Sequence, residues 1–437
     1  MIRRVSQSEL VRSAGSGFAA LAWMSALSLM TIPIYIRLLG AEKWGLLAAC
    51  ATLQLLFNFI DSGFSQIVPR WVARNATQMT TLRCLARRFV RIYWLLACVG
   101  WLFLQASAGY LASSWFQVPL DQVVDLEWAI RIIAFQLMFQ FLNSLSVAIW
   151  IGRQQQPRAN LRMCLFATVK HATAVAALMA ISADAWVYAS AFALVSLAEW
   201  LFNTRTVRRE LEGGSVETAV PPPADADFLR EVSVLSLGIV IGLATSQLDR
   251  IVLSRAVSVS EFGVYVVVLN MAMAFLQLQT PLSRALFPRL VREMSTRGAV
   301  STNTMCLFLV GNVVFAAIPA LLASMFTEPL LQAWIRDAHF AQHGSLPLKL
   351  LLWSVAINVV YGCIYHVIVA SGHAHLVLRF NLAGLAVGCG VVMALGAELG
   401  LALGGAIWLA TTTTQLVLGL TWFLLRHRGT AAAAKQA

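Results

Sequence analysis

Long apolar runs broken by short polar intervals dominate the chain between residues 15 and 425. They lack the alternation of barrel strands. Met305–Phe326 and Leu350–Ala370 are continuous and uncharged, matching the ~20 residues a membrane-crossing helix requires. The pattern predicts twelve spans, at 15–37, 44–68, 89–110, 127–151, 160–182, 186–203, 229–253, 261–284, 304–326, 347–370, 376–396 and 400–425. The first runs on through Met24, Leu29 and Ile36, too long for the core of a cleavable signal peptide. The fold expected is an all-α polytopic membrane protein.

Composition agrees. Of 437 residues, 59% are hydrophobic and 12% charged, with mean hydropathy +0.74. A soluble domain carries about 25% charged residues, so too little charge is present to cover a water-facing surface. The seven cysteines fall mostly in apolar stretches without metal-ligand spacing and read as small buried hydrophobes.

The net charge of +12 would suggest nucleic acid in a soluble protein, but here its distribution gives topology instead. With both termini cytoplasmic, 24 of the 32 Lys and Arg fall in the tails and on one side, and six on the other. Arg131 and Lys170 lie within spans. This is a positive-inside bias, and no nucleic-acid partner is expected.

A polar linker at 204–228, with Gly213-Gly214 and Pro221-Pro222-Pro223, favours extended chain. It divides an N-terminal six-helix bundle (1–203) from a C-terminal one (229–425), followed by a cytoplasmic tail (426–437). The halves resemble each other. Arg37-Leu-Leu-Gly-Ala-Glu-Lys-Trp-Gly45 precedes Pro69-Arg70, and Arg255-Ala-Val-Ser-Val-Ser-Glu-Phe-Gly263 precedes Pro288-Arg289. Arg to Gly is 8 residues in both copies, and Gly to Pro is 24 and then 25. Lys43 stands where the second copy has Glu261. Six spans per half make this a parallel repeat about the membrane normal, an arrangement suited to alternating access.

Tyr35-Ile-Arg-Leu-Leu-Gly-Ala-Glu-Lys-Trp-Gly with Ile60-Asp61-Ser62-Gly63-Phe64, and Gln247-Leu-Asp249-Arg250 with Glu261-Phe-Gly-Val-Tyr265, resemble the multidrug/oligosaccharidyl-lipid/polysaccharide (MOP) flippase superfamily. The likeness is strongest to bacterial O-antigen and exopolysaccharide flippases. It implies translocation of an undecaprenyl-diphosphate-linked glycan to the periplasmic leaflet of the inner membrane, within lipopolysaccharide or exopolysaccharide assembly. Implied partners are that glycan, membrane lipids, a polysaccharide polymerase and a chain-length regulator. A sugar diphosphate cannot cross hydrocarbon unaided, so cationic side chains at membrane depth become the candidates.

Lys170 interrupts the fifth span beside His171, where a charge must be paired, face a cavity or snorkel. Arg250 lies deeper than Arg255 and offers bidentate oxyanion binding. Asp249, its neighbour in sequence, cannot pair with it along one helix face and is a candidate for gating or coupling. Lys170 and Arg250 are the expected diphosphate ligands. Arg37 and Arg255, at helix ends, are secondary candidates with an anchoring alternative. Arg131 is a further substrate-binding candidate, with a local pair as the alternative because it follows Glu127 at i,i+4.

Asp61 is a candidate for gating or for a bond to a neighbouring helix. Glu199 is a weak candidate for cation coupling. Pro33, Pro281 and Pro319 predict kinks, with Pro33 a possible bending point one turn before Arg37. Gly384/Gly388, Gly396/Gly400/Gly404 and Gly238/Gly242 have the spacing of close helix contacts.

No Walker loop, HExxH or nucleophile elbow is present. Neither enzymatic activity nor a cofactor is expected. The competing readings are a cation-coupled drug or metabolite antiporter of the same superfamily and a non-enzymatic scaffold of a polysaccharide assembly complex.

Overall fold

The computed structural model describes residues 7–74, 79–212 and 225–436. The glycine and proline clusters of the expected linker, at 213–224, lie outside the described residues, while residues 204–212 continue the preceding helix. The described chain falls into two compact units, 1–240 and 241–437.

The first unit begins with α1 (Gln7–Thr52), a stretch whose helical dihedrals break at Gly40, and α2 (Gln54–Arg74). It continues with α3 (Met79–Tyr110), α4 (Val123–Gly152), α5 (Gln156–Ala180) and α6 (Ala185–Glu212). Helix α4 is the hub: it packs against α2, α3 and α6, and α5 lies between α1 and α6. The interior holds Phe89, Tyr93, Ile130 and Trp150 with almost no exposure.

Helix α7 (Asp225–Ala256) leads into α8 (Val259–Gln277), α9 (Thr280–Arg297), α10 (Thr302–Asn312) and α11 (Ile318–Ser324). After the short α12 (Thr327–Ile335) come α13 (Ala338–Ala370), α14 (Ala374–Leu395) and α15 (Ala402–Gln436). Helix α13 is the second hub, packed on α8, α12 and α15.

Among the described residues, ten helical stretches are long and apolar enough to cross a membrane. One of them, Gly15–Asp61, contains the Gly40 break and so holds parts of two spans. With that division and the 32-residue α7, the helices correspond to the twelve expected spans. Leu95, Leu102, Phe103, Phe315 and Met325 are exposed on the outside, the inverse of a water-soluble surface. Cysteines follow the same logic. Cys50 and Cys363 are buried, but Cys84, Cys306 and Cys389 are exposed, because an apolar helix faces lipid as well as protein.

The proline expectations change. Helix α1 runs through Pro33 and breaks seven residues later, at Gly40 (φ 78°, ψ 169°), a conformation only glycine adopts cheaply. Pro281 sits in the first turn of α9 and Pro319 in that of α11, where the missing N–H is needed least. A π-helical turn at Val313–Ala317 precedes Pro319.

The repeat has a structural counterpart. Arg37 is followed three residues later by the Gly40 break, and Arg255 three residues later by Ser258, extended at ψ 153°. In the second copy Ser258 and Glu261 form a reciprocal capping box. Lys43, at the position of Glu261, cannot complete one. It binds Asp184 at 2.5 Å and the Ala183 carbonyl at 2.8 Å, in the α5–α6 connection.

Glycine packing is also only partly as expected. A Cβ at Gly384 or Gly388 would press on Thr411, and one at Gly404 on the Tyr265 ring. Gly396 and Gly400 instead lie in the turn between α14 and α15, so they form no shared helix face with Gly404.

Candidate functional site

The first unit buries a ladder of charged and amide side chains. Lys170 on α5 and Glu199 on α6 pair at 2.7 Å, with side-chain exposures of 13% and 7%. The other Glu199 oxygen accepts from Asn143 Nδ2 on α4 at 2.9 Å. Asn143 Oδ1 in turn accepts from Asn203 Nδ2 at 2.8 Å, and Asn203 Oδ1 from the Arg162 guanidinium at 2.8 Å. Spacings of eight residues on α5 and four on α6 keep these groups on one face of each helix. Arg162 lies over the rings of Trp150 (4.6 Å) and Phe202 (4.8 Å). Nearer the helix ends, Glu210 receives Arg153 at 2.9 Å and also Arg158. Pairing is what makes charge tolerable inside an apolar bundle.

Tyr35 and His171 share a 2.8 Å hydrogen bond between α1 and α5. Asp61 accepts from Ser144 at 3.2 Å and Tyr93 at 3.4 Å, joining α2 to α3 and α4. Arg131 pairs locally with Glu127 at 2.5 Å and lies 5.4 Å from the Trp128 ring. Arg37 is exposed at the Gly40 break, and Pro33 is buried in α1.

In the second unit Asp249 is buried and accepts from the Tyr265 hydroxyl, while Arg250 is half-buried beside it in sequence. Arg255 is exposed at the end of α7. The structure therefore brings Lys170 together with Glu199, and places Arg250 in the other unit.

Sequence reading missed a groove between α3, α4 and α6, with a cavity of about 600 Å³. Arg83, Arg87 and Arg91 repeat every four residues along α3, making one cationic stripe. Across the groove stands Arg208 of α6, paired with Glu212 at 2.7 Å. Arg83 donates to the Glu212 carbonyl at 2.7 Å and to that of Leu211, satisfying carbonyls at the end of α6. Deeper in the groove Trp94 and Trp200 meet edge to face at 5.5 Å, and Leu142, Leu145 and Ile149 line it from α4. Because α3 and α6 run in opposite directions, both grade from arginine to tryptophan the same way along the groove. The four-residue arginine spacing is the sequence signal for this stripe, and the same residues carry the positive-inside bias.

The helical membrane fold, with one hub helix in each unit, is the fold of solved membrane transporters. The lipid II flippase MurJ in an inward closed conformation superimposes with a TM-score of 0.72 at 11% identity, covering 94% of this chain and 87% of that one. An inward-facing multidrug resistance MATE family transporter of the MOP superfamily gives 0.68 at 14%, covering 94% and 96%. A MOP superfamily transporter from Pyrococcus furiosus gives 0.60 at 14%, covering 97% and 96%. No curated protein matches the chain in sequence. Residues 13–294, more than half of the chain, match the family described as polysaccharide biosynthesis protein, and the chain belongs to that family.

Proposed function

We propose that the protein is a flippase that moves an undecaprenyl-diphosphate-linked oligosaccharide from the cytoplasmic to the periplasmic leaflet of a bacterial inner membrane by alternating access. The observation that carries this reading is the groove of α3, α4 and α6. It is shaped for an amphiphile, with arginines for phosphate oxygens at one end, a tryptophan pair toward the other and aliphatic side chains of α4 along the wall between them. Membership of a polysaccharide biosynthesis family supports a lipid-linked glycan over a drug. The arginine excess supports a groove mouth and both termini at the cytoplasmic face.

In this reading Arg87 and Arg91, both exposed, receive the diphosphate. Arg250 remains the candidate contact of the second unit. A diphosphate would have to compete with Glu199 for Lys170, so the role assigned to Lys170 is to hold α5 against α6.

The test is exchange of a fluorescent polyprenyl-diphosphate oligosaccharide between leaflets of proteoliposomes, scored with an impermeant reagent. Protein-dependent exchange should fall at least tenfold in R87Q/R91Q at equal protein level. Exchange unaffected by that substitution would remove the groove from the mechanism. Absence of exchange with several glycans and ion gradients would favour a cation-coupled antiporter or an assembly scaffold.

A further inference from the structure

A second cavity, of about 270 Å³, lies wholly within the second unit among α7, α13, α14 and α15. Its lining sets uncharged polar groups among apolar surface: among the described residues, no Asp, Glu, Lys or Arg contributes to it. Asn358, Asn381 and Gln415 bring amides, and Tyr361, Tyr365 and Trp408 bring rings that carry a polar tip. A cationic drug or a diphosphate placed there would find no countercharge. A neutral ligand rich in hydroxyls would find donors, acceptors and aromatic faces.

Two features show that the cavity is prepared for such a ligand. Gln415 Nε2 donates to Asn381 Oδ1 at 3.0 Å, which fixes both amides and leaves Gln415 Oε1 as an acceptor beside Asn381 Nδ2 as a donor. Adjacent donor and acceptor groups match a pair of neighbouring sugar hydroxyls, each of which both donates and accepts. Tyr361 is only 6% exposed, yet its hydroxyl has no hydrogen-bond partner among the described residues. Such a group costs stability until something bonds to it.

We propose that this cavity is a sugar subsite that holds one pyranose ring of the transported glycan through Tyr361, Asn381 and Gln415. Choosing a glycan as ligand rests on the flippase reading above. Size sets the limit of one ring, since pockets for larger small molecules begin near about 300 Å³ and this one holds about 270 Å³.

Full-length protein in nanodiscs is titrated with the methyl glycosides of glucose, galactose and N-acetylglucosamine, and separately with tetraphenylphosphonium. Binding is read by saturation-transfer NMR. Saturation should reach the ring protons of at least one glycoside. Tyr361→Phe removes a hydroxyl that has no protein partner, so the fold keeps its hydrogen bonds while glycoside affinity falls about three- to tenfold. Asn381→Leu with Gln415→Leu should abolish the signal.

No signal from any of the glycosides overturns the subsite, as does a signal equal in wild type and both variants. Stronger binding of tetraphenylphosphonium that competes with the glycosides also overturns it. The flippase reading is judged separately: glycoside binding without leaflet exchange leaves the subsite standing and removes the flippase. Exchange without glycoside binding does the reverse.

Discussion

Lys170 and Glu199 meet at 2.7 Å on neighbouring helices, and the carboxylate that neutralises the lysine is itself held by Asn143. Removing one partner leaves the other buried without its countercharge. Lys170→Met should lower stability by about 3–5 kcal/mol, and Glu199→Met by a similar amount. The double substitution, which leaves no orphaned charge, should cost much less than the sum. Thermal unfolding of the four proteins in one detergent measures this coupling. Additive losses would mean that the two residues do not act as a pair.

Two glycines should respond oppositely to alanine. At Gly404 the new Cβ would lie 2.4 Å from the ring of Tyr265, whose hydroxyl is bonded to Asp249. Overpacking of this kind costs about 1–3 kcal/mol. At Gly390, in the middle of α14, nothing lies within 4 Å, so alanine gains helix propensity of up to about 1 kcal/mol. Melting temperatures that moved the same way in both variants would contradict the packing of α8 on α15.

Gly40 and Pro33 make a second contrast. The positive φ of 78° at Gly40, with open space where a Cβ would be, makes Gly40→Ala a pure backbone penalty, of about 1–3 kcal/mol. Pro33→Ala leaves a helix that is already continuous there. The glycine variant should melt lower and slow leaflet exchange more. The opposite ranking would put the bending point at Pro33.

Lys43 and Asp184 give a pH signature. The hydrogen bond from Lys43 holds the Asp184 carboxyl below its ordinary value. A depressed carboxyl stabilises the fold above the unfolded value, about 3.9, and that contribution is lost as pH falls through the folded one. Asp184→Asn should therefore be destabilising at pH 6, by less than about 1 kcal/mol for so exposed a pair. It should converge with wild type in acid. A gap that widened on acidification would refute this assignment.

Much of the fold was legible along the chain because a membrane helix records itself in a single run of about 20 apolar residues. The twelve spans needed no knowledge of neighbours. The site was harder to read for the same reason. Lys170 and Glu199 each stood out as ionisable groups in apolar helices, but nothing local says they face each other across 29 positions. Asn143 and Asn203 attract no notice until they are found bonded to each other at 2.8 Å. The arginines of α3 were visible but were read only for orientation, since a positive-inside bias and a phosphate stripe use the same residues. The helix carries on through Pro33, and its dihedrals break at Gly40, whose positive φ no neighbouring residue in the sequence announces.

The turn that follows Arg37 in one half and Arg255 in the other has been settled by different chemistry in each. One copy relies on a glycine's freedom to take a backbone shape other residues resist, the other on a serine and a glutamate that clasp the start of the next helix. The first is strained by a single methyl group. The second depends on two side chains being present together. The two matching turns are therefore open to different substitutions, one to a methyl group at Gly40 and the other to loss of the side chain of Ser258 or Glu261.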